Sequence, residues 1–106
     1  MHVSDAVQHY AVALVTATRR SPDLRLGASP RATLHLVRAS KALAAIQGRE
    51  FVLPDDIHTM APLVLPHRLL PTMEATMNGR RTTEVVDRVL ASVPVPDLAR
   101  DPGSRA

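Results

Sequence analysis

Polar and apolar positions along the 106-residue chain predict four helices separated by breaks rich in proline and glycine. In the first, Val3, Val7, Tyr10, Ala11, Leu14, Val15 and Thr18 recur at spacings of three and four, one amphipathic stripe. It starts at Ser4 or Asp5, carries Arg19 and Arg20 in its last turn and stops at Ser21-Pro22-Asp23. Residues 22–28 then read as a loop that tucks Leu24 and Leu26 against the domain, with Gly27 giving the freedom to turn into the next helix. The second helix runs from Pro30 to about Gln47 and is closed by Gly48. Leu34, Leu36, Val37, Leu43, Ala44 and Ile46 make it apolar on most sides, the pattern of a helix buried at the centre of a bundle. On that reading Leu43 is a core residue.

Phe51-Val52-Leu53 is a short extended link. Pro54-Asp55-Asp56 opens a third helix with Ile57, Met60, Ala61 and Val64 on its apolar face. Pro62 and Pro66 predict a kink or a break into two pieces. Residues 67–81 read as an irregular connection with a turn at Asn78-Gly79. Thr82 or Thr83 caps the fourth helix, whose stripe is Val85, Val86, Val89, Leu90 and Val93. Residues 1–93 form one helical domain, and 94–106 read as a disordered tail or linker. The fold class is all-α, a small four-helix bundle with irregular connections.

Composition narrows the chemistry. Tyr10 and Phe51 are the only aromatic residues, so the core is aliphatic, and the absence of cysteine excludes disulfides and cysteine-ligated zinc. No apolar run approaches the ~18–20 residues that span a bilayer, and no secretory signal opens the chain, so no membrane role is expected and the cytoplasm is the default compartment. The formal charge is +3, with Lys41 the one lysine among thirteen basic residues. These residues cluster along the sequence only as pairs, Arg19-Arg20 and Arg80-Arg81, so no nucleic-acid partner is expected. No phosphate-loop, serine-hydrolase or zinc-protease motif occurs, and no two of the five histidines stand at the i, i+4 spacing of a helical metal site. Asp55 and Asp56 read as dipole complements, and His67-Arg68 either as a solvated basic pair or as a contact with a neighbouring domain.

The segment Leu26-Gly27-Ala28-Ser29-Pro30-Arg31-Ala32 stands apart. Ser29 is suited to cap the second helix and Pro30 to its first position, which puts Arg31 in the first turn. A cation there opposes the helix dipole, and together with the amides of a helix start it is suited to hold an anion such as phosphate. The bland alternative is that Arg31 points into water.

Taken in order, these segments resemble the C-terminal lid of MoxR-type AAA+ ATPases. The resemblance is carried by Val3-Ser4-Asp5-Ala6-Val7, Val15-Thr16-Ala17-Thr18-Arg19, Leu24 to Ala32, Ala42 to Ala45 with Gly48-Arg49, Pro54-Asp55-Asp56-Ile57, Leu65-x-His67-Arg68-Leu69 and Val93 to Pro96. It implies a lid that packs on a nucleotide-binding core not contained in this chain. It makes Arg31 the sensor 2 arginine that reaches the terminal phosphate of ATP, and places Gly27 and Ser29 at the edge of that cofactor cleft. Magnesium would be held by the absent core, and without that core this chain cannot hydrolyse ATP. The resemblance also implies a chaperone-like role in assembling or activating other proteins, a hexameric ring of neighbouring subunits, and a von Willebrand factor A domain protein as partner. Met1 directly before the lid suggests a segment cut from a longer protein. Two departures stand out. Leu53 replaces the usual Thr or Ser before Pro-Asp-Asp, a lost cap worth about 1 kcal/mol, and Pro66 stands where a helix-compatible residue is more usual. The alternative is a free-standing helical module that binds protein or DNA and has no nucleotide role.

Overall fold

A computed structural model describes residues 1–96. The order is α1 (Asp5–Thr18), β1 (Leu24–Leu26), α2 (Arg31–Ile46), α3 (Pro54–Val64), a 3-10 turn (Pro66–Arg68), β2 (Leu70–Pro71), α4 (Met73–Met77) and α5 (Thr82–Ser92). The all-α expectation holds: α1, α2, α3 and α5 are the four helices of the hydrophobic pattern. The stretch expected to be irregular also contains a short helix, α4, capped by the Thr72 hydroxyl accepting from the Ala75 N–H. Most of the expected tail, residues 97–106, lies outside the described residues.

α1 begins at Ser4, whose hydroxyl accepts from the Val7 N–H at 3.3 Å, and it buries Val7, Tyr10, Ala11, Leu14, Val15 and Thr18. Arg19 forms its C-terminal cap rather than part of its last turn. The core joins Val7 and Leu14 of α1 to Leu36 of α2, Ile57 of α3 and Val86 of α5, with Leu65 beneath the 3-10 turn. α3 runs unbroken through Pro62, and the break falls after Leu65. The carbonyl that Pro62 leaves unbonded belongs to His58, an exposed residue, so water can satisfy it.

α2 departs from its sequence reading. It buries only Ala32, Leu36, Ser40 and Ala44, one narrow row four residues apart, while Leu34 is 48% exposed and Ile46 83%. Three of the four buried residues are small, which lets α3 pack closely along the row. Ser40 satisfies its buried hydroxyl locally by donating to the Leu36 carbonyl at 2.8 Å. Leu43 is only half-buried. Leu36→Ala should therefore cost about 2–5 kcal/mol, and Leu43→Ala about 1 kcal/mol. Urea denaturation of the two variants checks this, and equal losses would return Leu43 to the core.

The expected loop at 22–28 is partly a strand. β1 pairs antiparallel with β2, Leu24 opposite Pro71 and Leu26 opposite Leu70, with an irregularity between the two pairs. Leu24 packs against the core, but Leu26 is 62% exposed, contrary to the tucked pair the alternation suggested. An irregular register turns successive side chains away from strict same-face alternation. The N-terminus is held by a bridge between His2 and Phe51, with the Val52 N–H donating to the His2 carbonyl at 3.0 Å.

Candidate functional site

The start of α2 is positioned by the end of α1. Thr18 is fully buried; its hydroxyl donates to the Val15 carbonyl at 2.6 Å and accepts from the Ala28 N–H at 3.0 Å. Arg19 Nε donates to the Ala28 carbonyl at 3.0 Å. Both backbone groups of Ala28 are thus clamped just ahead of Arg31. Gly27 makes the clamp possible by space rather than by turning. A Cβ there would lie 2.6 Å from Arg19 Cα and 2.8 Å from its N, whereas positive φ occurs only at Gly48 and Gly79 among the described residues. Gly27→Ala should therefore cost about 1–3 kcal/mol as a backbone clash. A denaturation midpoint equal to wild type would show that the clamp is loose.

Arg31 occupies the first position of α2, exposed and without an ion-pair partner among the described residues. Ser29 is close by and exposed, but it does not cap the helix as expected. Pro30 already has helical angles, φ −55° and ψ −28°, and takes the cap position with no side-chain hydrogen bond. The first-turn amides turn inward: Ala32 N–H donates to the Ser29 carbonyl at 2.9 Å and Thr33 N–H to the Pro30 carbonyl at 3.2 Å. The guanidinium of Arg31, more than open amides, is what this helix start offers an anion. Gly27, Ser29 and Arg31 are thus brought together, with different jobs: Gly27 fixes the approach, Ser29 supplies a carbonyl, and Arg31 presents charge.

Two ion clusters were not legible in the sequence. Arg49 grips Asp56 with both nitrogens, NH1 to Oδ2 and NH2 to Oδ1, each at 2.6 Å, and Asp56 Oδ2 also accepts from the Leu53 N–H at 2.8 Å. That last bond supplies part of the cap the third helix was expected to lack. The buried Asp23 accepts from Arg80 at 2.6 Å and Arg88 at 2.8 Å, and its carbonyl accepts from the Thr72 N–H, tying β1 to α4 and α5. Asp56 stands seven residues from Arg49 across the Phe51-Val52-Leu53 link, a signal that local reading could have used. Asp23 lies 57 and 65 residues from its partners, and nothing local announces them.

His67 and Arg68 are exposed on the 3-10 turn, which is anchored by buried Leu65, Pro66 and Leu69. Partial desolvation, then the charges of Arg68, Arg38 and Arg31, hold the His35 imidazole below its ordinary pKa. Among the described residues no three His, Cys, Asp or Glu converge as a metal site, and no helix is long and apolar enough to cross a membrane. An open groove between α1 and α5 is lined by Ala17, Arg20, Val85, Arg88 and Val89, and none of Gly27, Ser29 and Arg31 lines it.

Comparison with known proteins agrees with the helical fold. The AAA lid domain family matches residues 16–89. The uncharacterized protein YeaC of Bacillus subtilis is 36% identical over 96 residues, covering 91% of this chain and 30% of that protein. Chaperone MoxR1 of Mycobacterium tuberculosis is 36% identical over 105 residues, covering 91% of this chain and 28% of that protein. A crystal structure of a protein described as an ATPase, from Cytophaga hutchinsonii, superposes with a TM-score of 0.84 at 32% identity, over 90% of this chain and 32% of that one. The chain spans less than a third of the length of each of these relatives.

Proposed function

Since the chain belongs to the AAA lid domain family, as a lid of the MoxR type of AAA+ ATPase, we propose that it closes over ATP bound to a core domain outside this chain. Arg31 acts there as the sensor 2 residue and contacts the terminal phosphate. The observation that carries this reading is Arg31 itself: an exposed guanidinium, without an ion-pair partner among the described residues, on the first turn of a helix whose start is clamped to α1. A guanidinium carried on that helix start fits a phosphate, with which it can form two parallel hydrogen bonds. Its charge stabilises the negative charge that develops during phosphoryl transfer. Loss of the γ-phosphate would remove that contact and release the lid, coupling hydrolysis to movement.

ATP is the cofactor of this reading, and magnesium belongs to the core domain. In the same reading the lid works beside its own core and neighbouring subunits of a hexamer. It transmits hydrolysis to chaperone-like assembly or activation of partner proteins, among them a von Willebrand factor A domain protein, in the cytoplasm. Chaperone MoxR1, with 36% identity, supports the chaperone part.

The reading frame upstream of the Met1 codon in the parent gene tests the proposal. It is expected to continue for about 200 residues and to encode G-x-x-x-x-G-K-[ST], the loop that cradles nucleotide phosphates. A native start at Met1 with no such frame would leave a free-standing helical module and remove ATP from the proposal.

A further inference from the structure

The open groove between α1 and α5 encloses about 440 Å³. Its floor is apolar. Val85, Val89 and Val93 form one row along α5, four residues apart, and Ala17 of α1 lines the other side. A small side chain at Ala17 leaves the space between the helices unfilled. Among the described residues, the charged side chains that line the groove are both arginines, one on each wall: Arg20, three residues after Ala17, and Arg88, three after Val85. No acidic side chain lines it among these residues.

Arg88 is held in place by a buried carboxylate. Its NH1 donates to Asp23 Oδ2 at 2.8 Å, and the Asp23 side chain is 7% exposed. The Arg88 side chain is nonetheless 59% exposed, so most of its N–H donors remain open to a second acceptor. Asp23 Oδ1 is taken by Arg80 at 2.6 Å. One carboxylate thus serves two guanidiniums, and the cluster keeps a net positive charge. Arg20 adds a further cation, exposed and without an ion-pair partner among the described residues. Glu84, one turn before Arg88, makes no ion pair with it among these residues.

We propose that this groove docks an acidic amphipathic segment of a partner protein, with apolar side chains on the valine row and carboxylates on Arg20 and Arg88. A trough between two helices, with an apolar floor and cationic rims, is the complement of a helix whose apolar stripe is flanked by acids. The arginine fork matches a carboxylate with two parallel hydrogen bonds. Arg88 is already oriented by Asp23, so docking orders one long side chain fewer. The lining residues include no aromatic side chain on which a base could stack, which argues against a nucleic acid as the occupant. None of Gly27, Ser29 and Arg31 lines the groove, so this site stands or falls separately from the role proposed for Arg31.

The probe is a synthetic, end-capped peptide of about 16 residues built from Glu-Ala-Leu-Ala repeats, long enough to form a helix. Its control is the same peptide with Lys in place of Glu. Each is titrated at low salt into the 106-residue chain, and the methyl signals of Ala17, Val85, Val89 and Val93 are followed by NMR. The acidic peptide should shift these signals and the basic one should not. Arg20→Glu should weaken the acidic peptide by about tenfold. Arg25→Glu makes the same charge change on an exposed residue outside the groove and should stay within about twofold of wild type. Ala17→Leu fills the groove and should remove the shifts. Circular dichroism checks that each variant keeps its helices, and the exposed Arg20 keeps the test decisive if Ala17→Leu does not fold.

Equal shifts with both peptides would reduce the groove to an apolar surface without charge selection and overturn the proposal. So would an equal loss in Arg20→Glu and Arg25→Glu, which would mark a general cationic field, or no shift of the groove methyls at all. Groove signals that move when the chain is ended at Pro96, with no peptide present, would make the occupant the chain's own C-terminal segment. Signals that move with protein concentration alone would make it a second copy. Either result overturns the partner segment.

Discussion

Asp56→Ala is expected to destabilise the fold by about 3–5 kcal/mol, a large loss for a single polar truncation. The carboxylate is 4% exposed and receives both nitrogens of Arg49, whose side chain is 19% exposed. Removing it strands a guanidinium that remains only partly reachable by water. It also removes the acceptor for the Leu53 N–H at the start of α3, where no side chain of residue 53 can substitute. Deleting one partner of a buried pair is far more damaging than the pair is stabilising, because the remaining charge keeps its desolvation cost. Replacing both partners, as in Arg49→Met with Asp56→Leu, should therefore recover much of the loss. Urea denaturation of the single and double variants checks this. A single-variant loss below about 1 kcal/mol would mean that the pair behaves as a solvated surface contact.

The same pair sets a pH dependence. Burial pushes the Asp56 carboxyl upward, but the Arg49 hydrogen bonds, the Leu53 N–H and the Arg49 charge together outweigh it. The folded pKa consequently lies below the ordinary value of 3.8. A depressed folded pKa means that the native state releases this proton more readily than the unfolded chain. The stabilisation is thus fully present above the ordinary carboxylate range and is lost as pH falls below 3.8 through the folded value. Denaturation midpoints in acid should fall more steeply for wild type than for the Arg49→Met, Asp56→Leu chain.

What could be read from the sequence follows from the range of the interactions involved. Helix existence was legible because α1, α3 and α5 show their buried faces as local periodicity. α2 misled because its outer residues Leu34 and Ile46 are apolar yet exposed; periodicity detects apolarity, not which part of it is covered. Cap chemistry was legible at Ser4 and not at Ser29, because Pro30 adopted helical angles and moved the boundary by one residue. Thr82 and Thr83 likewise failed as caps: Arg81 takes the position, with no side-chain bond. Gly27 was recognised as necessary but for the wrong reason, since a close approach to Arg19 depends on the preceding helix and not on the glycine's own neighbours. The Asp23 cluster is a tertiary fact, and only the folded chain brings those charges together.

Arg31 carries the central claim, and its substitution should separate function from stability more sharply than any other change. The side chain is exposed, has no ion-pair partner among the described residues and opposes the dipole of α2. Arg31→Ala should therefore leave the melting temperature of the 106-residue chain at or slightly above the wild-type value. In the ATPase that carries this lid, the same substitution removes a positioned charge from the transferring phosphate, and turnover should fall by about 100-fold. The deciding measurement is the steady-state ATP turnover of that protein, wild type against Arg31→Ala, at saturating ATP and magnesium. A loss of this size, unaccompanied by a change in melting temperature and reversed when the arginine codon is restored, is the predicted result. Turnover within about twofold of wild type would contradict the sensor role and leave Arg31 as a solvated arginine at a helix start.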